Sequence, residues 1–147
     1  MPAELAAYPI SGDDTGLRDA LIAADLPVED LDEAGRRFLC FQHAGQTVGY
    51  GGYEPHGPYV LLRSIVVAPS SRGQGLGRAI AEALAAAAKR DGAATAFLLT
   101  TTTGPFFEHL GFGVIDRASA PAEILATRQA TTICSTATLL RRSLNDA

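Results

Sequence analysis

Ile65-Val66-Val67-Ala68-Pro69-Ser70-Ser71-Arg72-Gly73-Gln74-Gly75-Leu76-Gly77-Arg78 is the stretch that decides how this chain is read. It predicts an apolar strand that stops at Pro69, because proline has no amide hydrogen for a sheet ladder. Two serines turn the chain, and the three glycines allow positive φ and a close backbone approach. Leu76 then opens a helix running to about Lys89. The first-turn N–H groups and the positive dipole end of that helix face the turn. A phosphate or pyrophosphate suits such a place.

Two nucleotide motifs fail on this stretch. A phosphate-binding loop needs Lys and Ser/Thr after its last glycine, whereas Gly77 is followed by Arg78 and Ala79. A dinucleotide fingerprint counted from Gly73 meets Arg78 at its sixth position. It also wants an acidic residue at the end of the next strand, where this chain has Thr100 to Thr103. The remaining alternative to a ligand site is a glycine-rich turn that binds nothing. Arg72-Gly73-Gln74-Gly75-Leu76-Gly77 resembles the R/Q-x-x-G-x-G/A pyrophosphate loop of the GNAT superfamily of acetyl-CoA-dependent N-acetyltransferases. Val66-Val67-Ala68-Pro69 before it and Phe106-Phe107-Glu108-His109-Leu110-Gly111-Phe112 after it match that superfamily's other two landmarks, in order.

The bulk properties agree with a folded enzyme. A chain of 147 residues fits one domain, 1–147, and can bury a real core. Hydrophobic residues make up 47% and charged ones 19%, which argues against disorder. A net charge of −4 offers no basic stripe for nucleic acid. No apolar run reaches membrane-spanning length, since Glu82 interrupts even Ala79 to Ala88. Met1-Pro2-Ala3-Glu4 lacks the basic and apolar regions of a signal peptide. Cys40 and Cys134 lie in apolar surroundings and read as reduced, buried thiols of a cytoplasmic protein. A homodimer is compatible with the chain.

Taken in order, a strand is expected over Leu5 to Ile10, then cap residues Ser11 to Asp14 before a helix from about Thr15 to Ala24. Leu17, Leu21 and Ile22 form its apolar face. Pro27 interrupts, and Val28 to Leu31 reads as a second short turn of helix. Arg37 to His43 and Thr47 to Glu54 are strands of a hairpin through Ala44-Gly45-Gln46. Tyr59 to Val67 is the next strand. The motif helix places Leu76, Ile80, Leu84 and Ala88 on one face, with Lys89, Arg90 and Gly92 at its end. A buried strand over Ala94 to Thr100, a short helix over Pro105 to Leu110 and a strand from Gly113 to Asp116 follow. A small helix from Ser119-Ala120-Pro121 through Ala126 comes next, and Thr131 to Arg142 holds the last extended segment or segments. This order predicts an α/β fold. The resemblance, which covers about Leu5 to Val114, implies the GNAT fold. That fold would have a mixed central sheet of six or seven strands with helices on both faces. In it the strands ending at Val67 and near Thr100 splay apart to admit the pantetheine arm.

A narrower resemblance rests on Arg63-Ser64-Ile65-Val66-Val67, Leu98-Leu99-Thr100-Thr101-Thr102, Phe106-Phe107 and Ala126-Thr127-Arg128-Gln129. As a set they are similar to the arsenic-resistance branch of the superfamily, the N-acetyltransferases associated with arsinothricin. The Leu-Thr-Thr segment is also similar to N-acetylglutamate synthases. The resemblance implies acetyl transfer from acetyl-CoA, through a tetrahedral intermediate, to the α-amine of a small acidic amino acid or an arsenical or phosphinic analogue. It assigns the cofactor contacts to Ile65, Val66, Val67, Phe107 and Arg72 to Arg78 (Arg72, Gly73, Gln74, Gly75, Leu76, Gly77, Arg78). No metal is called for.

Acetyl transfer needs an unprotonated amine, a positioned carbonyl and donors for the oxyanion. A backbone N–H within Ile65 to Val67 can supply the donor. Arg63 stands in an otherwise apolar strand and cannot shed its charge, so burial demands an anion. By strand parity it shares a face with Ile65 and Val67. Its partner is either a substrate carboxylate, with Ser64 beside it, or an internal Asp or Glu. Arg128 is a second candidate for a distal anionic group, against its reading as a surface cation. Many GNAT enzymes carry a tyrosine acid where this chain has Phe107, which cannot donate a proton; Thr102, Thr103 or water are substitutes. Glu54, His56, Glu108 and His109 are the candidate bases, with Glu54 first because its strand neighbours that of Arg63. A protein or peptide N-acetyltransferase is one alternative, although Arg63 disfavours a basic substrate. A catalytically weak acetyl-CoA-binding regulatory module is the other, kept by Phe107.

Overall fold

The computed structural model describes residues 5–73, 75–101, 104–128, 130–131 and 136–145. Its elements run β1 (Ala6–Ile10), α1 (Thr15–Ala23), β2 (Arg37–His43), β3 (Gln46–His56), β4 (Tyr59–Val67), α2 (Leu76–Arg90), β5 (Thr95–Thr100), α3 (Gly104–His109), β6 (Gly113–Ile115), α4 (Ala122–Leu125) and β7 (Thr138–Ser143). The described residues form a seven-stranded sheet in the order β1-β2-β3-β4-β5-β7-β6. Antiparallel pairs lie toward both edges, and β4 reaches its neighbour β5 through the α2 crossover. The expected α/β class and mixed sheet are therefore what the chain adopts. Two compact units divide it, Met1–Glu54 with Leu62–Ala87, and Pro55–Leu61 with Ala88–Ala147.

In the first unit, Asp14 caps α1 by accepting from the Leu17 N–H at 2.9 Å. Leu17 and Leu21 are fully buried and cluster with Leu31, Phe38 and Val66. Ile22, expected on the same face, is 63% exposed. At 100° per residue it falls well off the stripe that Leu17 and Leu21 share. Ala44 and Gly45, with φ of 52° and 79°, make the tight turn between β2 and β3. Val28 to Leu31 is not the helical turn expected; residues 29–32 form a non-helical turn in which the Glu33 N–H donates to the Asp30 carbonyl at 3.2 Å.

Glycines in β3 set how closely neighbours pack. A Cβ on Gly49 would overlap the Val66 carbonyl oxygen and Ile80 Cδ1, and one on Gly51 would press on Leu84. On the opposite face, one on Gly52 would meet the Phe38 ring. So α2 lies on one side of β3 and the Phe38 cluster with α1 on the other. Leu76, Ile80 and Leu84 are 0–2% exposed, as their i, i+4 spacing predicts.

The second unit has its own core of Leu61, Phe97, Ile124 and Leu139. β7 pairs antiparallel with β5, Leu98 opposite Leu140, and with β6, Val114 opposite Leu140. Gly92, at φ 104°, ends α2 as a left-handed C-cap, and the Ala93 N–H returns to the Ala88 carbonyl at 3.1 Å. Thr131 is not extended as expected. Its N–H donates to the Thr127 carbonyl at 3.0 Å, and the final strand begins only at Thr138. Cys40 is a buried free thiol; Cys134 lies outside the described residues.

Gly49→Ala should lower the unfolding free energy by about 1–3 kcal/mol, the usual range for overpacking. Urea denaturation followed by circular dichroism measures it. An unchanged midpoint would mean that α2 can move away from β3 at no cost.

Candidate active site

The strand-to-helix stretch folds as its residues dictate. β4 stops at Val67, Pro69 to Ser71 form a short 3-10 turn, and α2 begins at Leu76. The Ala68 N–H donates to the Val48 carbonyl at 2.8 Å, so the turn leaves from a fixed point on β3. Gly73 and Gly75 have φ of 80° and 75°. Nothing lies within 4 Å of where their Cβ atoms would be. Their glycine identity thus answers a backbone demand and leaves open space beside the loop. Arg72 and Arg78 are exposed on either side of it, while Leu76 is buried. Gln74 lies outside the described residues.

Arg63 has an internal partner. Its side chain is fully buried, and Nη1 and Nη2 donate to the two carboxylate oxygens of Asp30, both at 2.6 Å. Nη1 also donates to Glu54 Oε2 at 2.9 Å. Arg36 completes the group, with Nη2 3.0 Å from Asp30 Oδ2. Glu33 adds a third carboxylate, 3.4 Å from Arg36 Nη2, and the Arg63 guanidinium lies over the Phe38 ring, 5.6 Å from its centroid. Of the two partners considered for Arg63, the internal carboxylate is the one present. The assignment of Arg63 as a substrate-carboxylate anchor is corrected accordingly. Glu54, expected as the first candidate base, is 2% exposed and its carboxylate accepts from Arg63.

Ser64 is the second departure. It adopts φ 57° within β4, a left-handed residue inside a strand, and its Oγ accepts from Arg63 Nε at 3.2 Å. The kink upsets the alternation of side chains. Arg63 lies against Phe38, which clusters with Val66, and Ile65 and Val67 are only partly buried. Arg63 therefore shares its face with Val66 and not, as parity predicted, with Ile65 and Val67.

Phe107 is 7% exposed and stacks edge-on with Phe106 and Phe112, centroids 5.1 and 5.9 Å apart. Arg128, Glu108 and His109 are exposed, and His56 is partly buried. Thr102 and Thr103 lie outside the described residues, as does Gln129. Sequence reasoning missed Asp30 and Arg36. The available signal was an acidic run, Glu29-Asp30-Leu31-Asp32, in a chain whose buried Arg63 had to find an acid somewhere.

Burial alone would raise the Asp30 pKa, but hydrogen bonds and charge from Arg63, then from Arg36, outweigh it and hold it below 3.8. Burial would likewise lower the Arg63 pKa, and Asp30 and then Glu54 reverse that. A carboxylate with a depressed folded pKa stabilises the fold fully above its unfolded pKa, about 3.9, and loses that contribution as pH falls through the folded value. Melting temperature should therefore drop on acidification below about pH 4. Asp30→Ala should destabilise at pH 7 by about 3–5 kcal/mol, since it strands a buried arginine, and should show a shallower acid dependence. Equal stability of wild type and Asp30→Ala at pH 7 would remove the network as a structural element.

Comparison with known proteins places this geometry. The Acetyltransferase (GNAT) domain profile matches residues 34–114, more than half of the chain. No curated protein sequence matches it. Among solved structures, N-acetylglutamate synthase from Neisseria gonorrhoeae, complexed with coenzyme A and N-acetyl-glutamate, superposes with a TM-score of 0.79 at 17% identity. That match covers 99% of this chain but 36% of the synthase, so the chain spans about a third of that protein. Rv2747 from Mycobacterium tuberculosis, in complex with CoA and NLQ, gives 0.70 at 18% identity, over 94% of this chain and 98% of that one. A GNAT family acetyltransferase from Elizabethkingia anophelis with acetyl-CoA bound gives 0.70 at 15% identity, over 95% and 97%. Identities this low speak for the fold alone, whereas the profile match spans β2 through β6 and includes the whole glycine loop. On that match the chain belongs to the GNAT acetyltransferase domain family.

Proposed function

We propose that this chain transfers the acetyl group of acetyl-CoA to the amine of a small acceptor, with the Arg72–Arg78 loop holding the pyrophosphate. The observation that carries this reading is the loop itself: Gly73 and Gly75 at positive φ, open space beside both, and exposed arginines flanking them at the start of α2. An N–H-rich helix start between two cations matches a pyrophosphate in both charge and geometry. The cosubstrate supplies a thioester: the neutral amine's nitrogen bonds to the acetyl carbon, the carbon–sulfur bond breaks with its electron pair leaving on sulfur as the CoA thiolate, and the amine proton passes to solvent water. Backbone N–H groups of Ile65 to Val67 orient the acyl oxygen, a main-chain role that leaves those side chains to fill space. Phe107 offers no proton, and its aromatic contacts make it a packing residue. A thiol with a pKa near ~8.5 can leave as thiolate without an obligatory acid.

For the acceptor, a glutamate-like amino acid or its arsenical or phosphinic analogue is the reading that the sequence resemblance supports. The structural likeness to an N-acetylglutamate synthase points the same way. Because Arg63 is engaged with Asp30 and Glu54, the acceptor's anion has to be met elsewhere, and exposed Arg128 is the cation proposed for it.

Coenzyme A should raise the melting temperature, since ligand at 100 times its dissociation constant adds about 2.7 kcal/mol. Gly75→Asp should abolish the rise, because the aspartate strains a positive φ and sets a carboxylate where the pyrophosphate belongs. A shift that survives in a folded Gly75→Asp protein would exclude this loop. Thiol release with glutamate analogues against neutral amines then decides the acceptor class, with faster release for the acidic set expected.

A further inference from the structure

Among the described residues three non-glycines have positive φ: Asp25, Ala44 and Ser64. Two have local reasons. Asp25 follows the end of α1, where the Leu26 N–H returns to the Leu21 carbonyl at 2.9 Å, and Ala44 sits in the hairpin turn. Ser64 has none, because it lies inside β4, where neither a turn nor a cap asks for a left-handed residue.

Such a conformation in a non-glycine persists only where its surroundings over-determine it. The neighbouring residue provides that. Arg63 is held in a fixed plane by the two Asp30 contacts at 2.6 Å and by Glu54 at 2.9 Å, and its Nε reaches back to Ser64 Oγ. Asp30 is held in turn by Arg36. The guanidinium cannot rotate away without losing three charge-assisted contacts, two to Asp30 and one to Glu54. An extended Ser64 would restore regular alternation and take Val66 off the face that Arg63 occupies, so Arg63 and Val66 can both lie against Phe38 only with the kink between them. The ion network and the kink are therefore one device.

We propose that Arg63 is a positioning residue: the Asp30–Arg63–Glu54 network holds the left-handed kink at Ser64 and thereby fixes the direction of the Ile65–Val67 backbone. This inference rests on the reading of Ile65 to Val67 as the segment that orients the acyl group. It makes Arg63 act on turnover without touching either substrate.

The test uses Arg63→Lys, which keeps the charge but cannot span both Asp30 oxygens, and the double variant Arg63→Lys/Ser64→Gly, since glycine accepts positive φ without penalty. A left-handed non-glycine is disfavoured by about five- to a hundred-fold in population. Arg63→Lys should therefore lose about that factor in kcat, with KM for acetyl-CoA and the CoA-induced thermal shift unchanged. The double variant should recover most of the kcat. Amide 1H–15N shifts of Ser64 to Val67 should move in the single variant and return in the double. Full kcat in Arg63→Lys, or a loss that Ser64→Gly does not restore, overturns the proposal, as do amide shifts that stay put. The amide shifts need no turnover, so a wild type inactive on every amine would count against the acetyl-transfer reading while this arm still decides the positioning role.

Discussion

A guanidinium keeps its charge at any pH a protein meets, so a chain that buries one must bring carboxylates to it. Arg63 imposes that condition on the first unit. Asp30 comes from the turn after α1, Glu54 from the end of β3, and Arg36 from the residue before β2. Four separate stretches are thus registered against one planar group. The net stabilisation from a buried ion pair is small, and replacement by apolar residues is often neutral. What the cluster contributes is selectivity among arrangements, because any other pairing of these strands strands a charge in the core.

A second constraint works from the other side of the sheet. Glycine at positions 49 and 51 lets Ile80 and Leu84 sit close to β3, which fixes the axis of α2. The first residues of α2 close the Gly73–Gly75 loop, so the direction in which that loop's N–H groups point is set by contacts a full turn or more away. Side chains on one face place the helix and the ion cluster on the other places the strand before it. The loop between them inherits its geometry from both.

The elements legible in the sequence are those specified locally. Pro69 ends β4, the glycines admit the loop, Asp14 caps α1, and apolar spacing places α2; each acts over a few residues. Non-local features were illegible for a physical reason. Asp30 is 33 residues from Arg63, and Val28 to Leu31 read as helix because its composition permits one. In the fold it is a non-helical turn whose Asp30 carboxylate meets a distant arginine. Ser64 carries no mark of its conformation, since its strain is held by neighbours and not by its own type. With the kink unseen, the parity argument for Ile65 and Val67 failed, and nothing near Glu54 in the sequence announces its bond to Arg63. The Gly73–Gly75 turn was legible because its demand is a main-chain demand, written in glycines.

The place of β7 affects how the second unit can be made. This strand pairs with both β5 and β6, and its Leu139 joins Leu61, Phe97 and Ile124 in the core. On a ribosome, β5 emerges well before its partner is translated, because Thr100 pairs with Thr138. Throughout that interval β5 keeps one row of backbone groups unsatisfied, next to an apolar core that lacks a wall. A nascent chain in this state is a template for pairing with other chains. Pairing of residues 138–143 with β5 and β6 covers that edge.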